Sequence, residues 1–204
     1  MLEQIEKAFN ELKAGEKRNF VQSVDLIISL KGIDLKKSES KFSEDLALPH
    51  GGGKDARVAV FSDNLTDVGC DVLTSADIQK IAGNKRDAKN LGENTDFFLS
   101  EAPLMPMIGK SLGQVLAPRG KMPKVIAGDV KKLVENYKKS VRIAVKNSPV
   151  IQCFVGKEDI ETRKIVENVE AVLRFLETKL PRGRQDIGKI LLKLTMSKPV
   201  KVEI

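Results

Sequence analysis

A chain of 204 residues, 41% hydrophobic and 31% charged, has room for one large or two small domains and enough apolar side chains to build cores without disulfides or metal. No apolar run approaches the roughly 20 residues that cross a bilayer, and the opening stretch MLEQIEKAFNELK is charged and amphipathic, so the expectation is a cytoplasmic protein that meets no membrane. One histidine and two widely spaced cysteines leave no multi-histidine or CxxC set for a metal, and a net charge of +7 with a pI near 9.3 points to a polyanionic partner.

Leu2, Ile5, Phe9 and Leu12 recur at helical spacing, which predicts an amphipathic helix over residues 2–13, ended by Ala14-Gly15. Val24, Leu26, Ile28 and Leu30 then alternate with mostly polar residues, the mark of a half-buried strand closed by Gly32. FSEDLAL at 42–48 predicts a second strand, running into Pro49-His50-Gly51-Gly52-Gly53-Lys54. That joint is rich in glycine but lacks the GxxxxGK-Ser/Thr spacing of a phosphate loop, so it is read as a hinge. From Arg57 the rhythm changes to short, continuously apolar strands (RVAVFS, DFFLS) interleaved with helices, one capped by Ser75, one over 103–116 and one over 129–140, followed by a strand at 141–146. Such alternation predicts a small parallel α/β layer. Asn147-Ser148-Pro149 reads as a second hinge. Beyond it come the strand VIQCFVG, a long helix over 158–180 with Val166, Val169, Leu173, Leu176 and Leu180 on one face, an alternating strand through Ile190, Leu192 and Leu194, a turn at 195–199 and a last strand VKVEI.

Both ends of the chain thus pair a helix with alternating strands. The expected architecture is an α/β fold of two domains: an α+β domain with an antiparallel sheet from residues 1–56 and 149–204, and an inserted Rossmann-like domain over 57–148. Charge is uneven: net −1 over residues 1–55, +5 over 56–150 and +3 over 151–204. Ten basic residues against Asp129 and Glu135 lie between Lys110 and Lys146. Within that stretch LGQVLAPRGKMPK, residues 112–124, combines turn-forming Gly and Pro with Arg119, Lys121 and Lys124, donors of the kind that meet phosphate.

Three segments in order, KFSEDLALPHGGGK at 41–54, GKSLGQVLAPRGKMPK at 109–124 and LKLTMSKPVKVEI at 192–204, resemble the universal L-one family of large-subunit ribosomal proteins, in its archaeal form. The resemblance implies a non-enzymatic protein of the mobile stalk beside the tRNA exit site, monomeric when free and needing no cofactor. It implies large-subunit ribosomal RNA as partner, exit-site tRNA nearby, and for some members repression of translation through their own mRNA leader. By the same resemblance the RNA-binding residues are Lys41 and Phe42 with the turn Thr195-Met196-Ser197, in which Ser197 replaces the family's usual glycine. Lys157, Lys189 and Lys198 are candidate phosphate contacts by charge and placement, and Arg119 and Lys121 auxiliary RNA contacts. An apolar face on Phe42 and Met196, a hydroxyl on Thr195 and a cation on Lys41 suit a structured RNA read through its shallow groove and 2′-hydroxyls. The alternative is a nucleotide-binding enzyme built on the central α/β layer, against which stand the missing GxGxxG and P-loop spacings.

Overall fold

β1 (Ser23–Leu30) alternates half-buried and buried residues along its whole length, and Val24, Leu26, Ile28 and Leu30 all enter one core. In the computed structural model, which describes residues 2–15, 18–33, 41–65 and 69–202, this strand is the middle of an antiparallel sheet. Its order is β10 (Val200–Val202), β9 (Ile187–Leu194), β1, β8 (Val150–Lys157). Period-two burial forces the register: a slip of one residue would turn the four apolar side chains outward. The helices α1 (Leu2–Ala14) and α7 (Thr162–Lys179) bring Ile5, Phe9, Leu12, Val169, Val172 and Leu176 into the same core. Of the expected last strand, residues 203–204 lie outside the described residues.

Two compact units emerge, one formed by residues up to Asp55 with those from Lys139, the other by Ala56–Lys138. The second crossing therefore falls before the strand expected at 141–146, not at 147–149. That strand, β7 (Ser140–Val145), does not extend the parallel layer. It pairs antiparallel with β2 (Phe42–Ala47), its Ile143 and Val145 buried in the terminal core, and Arg142 Nε donates to Asp45 Oδ1 across the ladder at 3.0 Å. The reason is its one-sided burial, which fits a half-covered ladder and not a strand covered on both faces.

In the inserted unit every strand is parallel, in the order β4 (Asp71–Leu73), β3 (Val58–Phe61), β5 (Phe97–Ser100), β6 (Lys124–Val125). β3 and β5 are buried at every position because helices cover both faces. Ala59, Phe61 and Phe98 meet α2 (Ser75–Gly83), α3 (Lys85–Asn94), α4 (Met105–Ser111) and α5 (Gly113–Leu116); Val58, Val60, Phe97 and Leu99 meet Val134 of α6 (Val130–Lys138). α2 is capped one residue earlier than the sequence suggested, by a reciprocal Thr74–Asp77 box. α3, β4 and β6 escaped the sequence pattern, α3 because KRDAKNLGEN buries only Ala88 and Gly92.

The glycine joint is packed closely against the terminal core. A Cβ on Gly52 would lie 2.2 Å from the Phe154 ring, and Gly51 and Gly53 adopt φ of 61° and 72°. Asn168 of α7, fully buried, staples this turn: Nδ2 donates to Gly51 O at 2.8 Å and Val155 O at 2.9 Å, and Oδ1 accepts from His50 N at 3.1 Å. The His50 ring pairs with Glu167, whose carboxyl is held below its ordinary value first by that bond. The His50 N–H thus meets a helix side chain, and Gly51 N donates to Leu48 O at 3.2 Å.

Asn168→Ala leaves two carbonyls and one N–H without partners, and denaturant titration should read a loss of about 2–3 kcal/mol. The Cys153 thiol, buried in the core, is pushed up to about 12 from 9.0, mainly by burial and then by Asp25. A raised thiol pKa means stability is complete below the unfolded value and is lost as pH rises from there toward the folded one. Cys153 should therefore resist thiol reagents at neutral pH in the native protein and react on denaturation; rapid native labelling would contradict this burial.

Candidate nucleic-acid interface

β1 begins between two strand ends. Ser23 stands opposite Lys157 of β8 and Val24 opposite Leu194 of β9, so the segment entering β1, the end of β8 and the turn after β9 converge at one end of the sheet. The turn closes on itself through Ser197 N to Leu194 O at 3.1 Å and Leu194 N to Ser197 Oγ at 2.9 Å. Thr195 docks it on β1: its N–H donates to Ser23 O at 3.1 Å, and its Oγ1 accepts from Ser23 N at 3.0 Å. No non-glycine residue among those described has positive φ. Ser197 thus stands where the family's usual glycine was expected without a left-handed backbone, and its hydroxyl takes over part of the turn's hydrogen bonding.

This end carries exposed apolar surface. Met196 is 61% exposed, Phe20 52% and Val21 55%, and Phe20 and Val21 run directly into the buried Gln22. Only three other large apolar side chains among the described residues, Leu2, Met122 and Val125, are comparably exposed. Lone exposed apolar residues are ordinary; three on converging segments mark a contact surface. Arg18, Lys157 and Lys198 lie on the same three segments, and Arg18, Met196 and Lys198 line one cleft. Farther along the outer sheet face, burial raises the Asp25 carboxyl above its ordinary value, opposed by Lys193. Apolar patches framed by cations suit ribose and base faces with phosphates around them.

Of the residues singled out from sequence, Lys157, Thr195, Met196, Ser197 and Lys198 come together here. Lys41 and Phe42 do not. Phe42 pairs with Val145, which leads through the 146–149 turn to Val150 and hence to Ser29, at the other end of β1, about 20 Å away for six strand residues. Its ring is half-buried against the terminal core. Lys189 lies at that far end too, its N–H donating to Ser29 Oγ at 2.8 Å. The exposed aromatic residue on the segments at this end of the sheet is Phe20, which sequence reading missed. Its signal was available: an aromatic just ahead of the alternating strand, outside any apolar period.

In the basic loop of the inserted unit, Arg119 and Lys121 have partners within the chain. Arg119 donates to Lys89 O at 3.1 Å and Glu93 Oε1 at 2.9 Å, and Lys121 Nζ donates to Gly92 O at 3.0 Å and Thr95 O at 2.7 Å. Gly92 O and Thr95 O are carbonyls at the C-terminal end of α3, whose own last turn has no basic residue; Lys89 O lies earlier on the helix, and Glu93 Oε1 is a side-chain carboxylate. The loop supplies from outside the positive charge that the helix end favours. Lys124 Nζ sits 5.8 Å from the Tyr137 ring centroid. Lys121→Met should accordingly cost about 1–3 kcal/mol of stability in the inserted unit, read as faster hydrogen exchange in the last turn of α3. Unchanged exchange there would return Lys121 to the role of a surface cation.

Among the described residues no group of His, Cys, Asp or Glu could hold a metal, and no helix is long and apolar enough to cross a membrane. Comparison with known proteins agrees with the segments noted in the sequence. A family model described as the ribosomal protein L1p/L10e family matches residues 12–198. The chain is 43% identical to the large ribosomal subunit protein uL1 of Pyrococcus abyssi, with 98% of this chain and 96% of the relative aligned. It is 41% identical to the protein of that name from Thermococcus kodakarensis over 97% and 95%, and 36% identical to that of Methanobrevibacter smithii over 99% and 100%. With the match running through both units and through the turn at 195–198, the chain belongs to the ribosomal protein L1p/L10e family.

Proposed function

We propose that this chain is a non-enzymatic RNA-binding component of the large ribosomal subunit, and that the end of the terminal sheet bearing Phe20, Lys157, Thr195, Met196 and Lys198 grips ribosomal RNA of the mobile stalk. The observation that carries this reading is the clustering of exposed Phe20, Val21 and Met196 among cations on three hydrogen-bonded strand ends. The names of the relatives, large ribosomal subunit protein in each case, support the assembly. Thr195 holds the reading turn on β1 and offers its hydroxyl beside the groove; Phe20 and Met196 cover ribose and base faces and exclude water; Lys157 and Lys198 meet phosphates.

The same surface binds a similar structure in the chain's own mRNA leader, so ribosomal RNA and messenger compete for one site and excess protein represses translation. The inserted unit, with Lys131 and Lys132 exposed on α6, faces the exit-site tRNA. The glycine joint is closed by Asn168 and Phe154, which favours the binding role over a nucleotide-using enzyme.

The test is binding of purified protein to a short stalk-region RNA across a salt series. Thr195→Val and Phe20→Ala should each weaken binding by roughly 1–3 kcal/mol. Lys157→Gln should lower the salt slope by about one unit, while Phe42→Leu and Lys189→Gln leave affinity nearly unchanged. A larger loss from Phe42→Leu than from Phe20→Ala, at equal stability, would move the site to the opposite end of the sheet.

A further inference from the structure

Gln22 is 2% exposed, one of few buried polar side chains among the described residues, and it touches all three segments of the interface. Its carbonyl oxygen accepts from Glu158 N at 2.9 Å, tying the end of β8 to the start of β1. Its side-chain Nε2 donates to Glu158 Oε2 at 3.3 Å, and its Oε1 accepts from Met196 N at 3.1 Å. The amide can take only one orientation. A flip would set NH₂ against the Met196 N–H and oxygen against the Glu158 carboxylate, two repulsive contacts at a side chain that is itself buried. Packing alone does not need this polarity, since the turn is already closed by Ser197 and docked by Thr195.

We propose that Gln22 is a positioning residue for RNA recognition: its amide holds the Met196 turn and the Lys157–Glu158 turn at a fixed spacing, so that affinity depends on the donor–acceptor polarity of this buried bridge. The inference rests on the RNA-binding reading above. A base or ribose seated on Met196 while its phosphate meets Lys157 tolerates little change in that spacing.

Replacing Gln22 by Glu keeps size and shape and keeps an acceptor for Met196 N, but it sets two carboxylates against each other. Paired carboxylates share a proton as pH falls, and the protonated one then donates to the other. Q22E should therefore bind the stalk-region RNA roughly tenfold more weakly than wild type near about pH 8, with the deficit shrinking toward about pH 5.5. The double variant Q22E/E158Q restores the bridge with donor and acceptor exchanged, the introduced amide donating to the introduced carboxylate. It should bind within about twofold of wild type at every pH. Melting temperatures of all three proteins separate positioning from folding: if Q22E is destabilised, the isosteric double variant and its flat pH profile still carry the test.

Wild type that fails to bind the RNA sinks the functional reading and this inference together. Wild type that binds while Q22E matches it near about pH 8, or a folded double variant that binds no better than Q22E, overturns the inference alone.

Discussion

The constraint on which the terminal unit depends is the hydrogen bonding of β1 on both its edges. Ser23 to Ser29 pair with Lys157 to Val150 on one side, and Val24 to Leu30 with Leu194 to Ile187 on the other. Both partners are antiparallel, so each end of β1 gathers segments far apart in sequence. At the Ser23 end these are residues from 18–23, 157–158 and 194–198. The register is held by burial of Val24, Leu26, Ile28 and Leu30, because a shift by one residue would exchange core for solvent. The geometry of this end of the sheet is thus enforced by hydrophobic packing several residues away from it.

Buried polar side chains do the finer work. Asn168 fixes the glycine turn on α7, Asp186 receives Arg182 beside the loop at 31–32, and Gln22 bridges two turns of the interface. No buried side-chain polar atom among the described residues lacks a partner. A satisfied buried group costs little and fixes one arrangement, whereas an unsatisfied one costs on the order of a lost hydrogen bond. The exposed face can therefore be apolar and cationic at once without loosening the strands beneath it.

The same reasoning separates two kinds of cation. Arg119 and Lys121 occupy the most basic stretch of the sequence, yet their donors meet oxygens of α3 and of Thr95 just beyond it. Lys157 and Lys198, in a less conspicuous context, lie on the segments that carry exposed Phe20 and Met196. Local charge density says where cations are. Only the fold says which of them have helix carbonyls to satisfy.

Periodicity by itself determined the main elements, the antiparallel character of the terminal sheet and the parallel character of the insert, since period two, period 3.6 and continuous apolar runs each correspond to one mode of burial. The segments at 41–54, 109–124 and 192–204 were enough to indicate the family, and the turn after Leu194 was legible as a turn. Tertiary structure decided what depends on long-range pairing: that β7 joins β2, that Phe42 packs half-buried against the core at the far end of β1, and that exposed Phe20 lies on a segment entering the same end of the sheet as Met196. Short polar elements such as α3 were illegible because their stability comes from capping by a loop some thirty residues on, a contact that no local window contains.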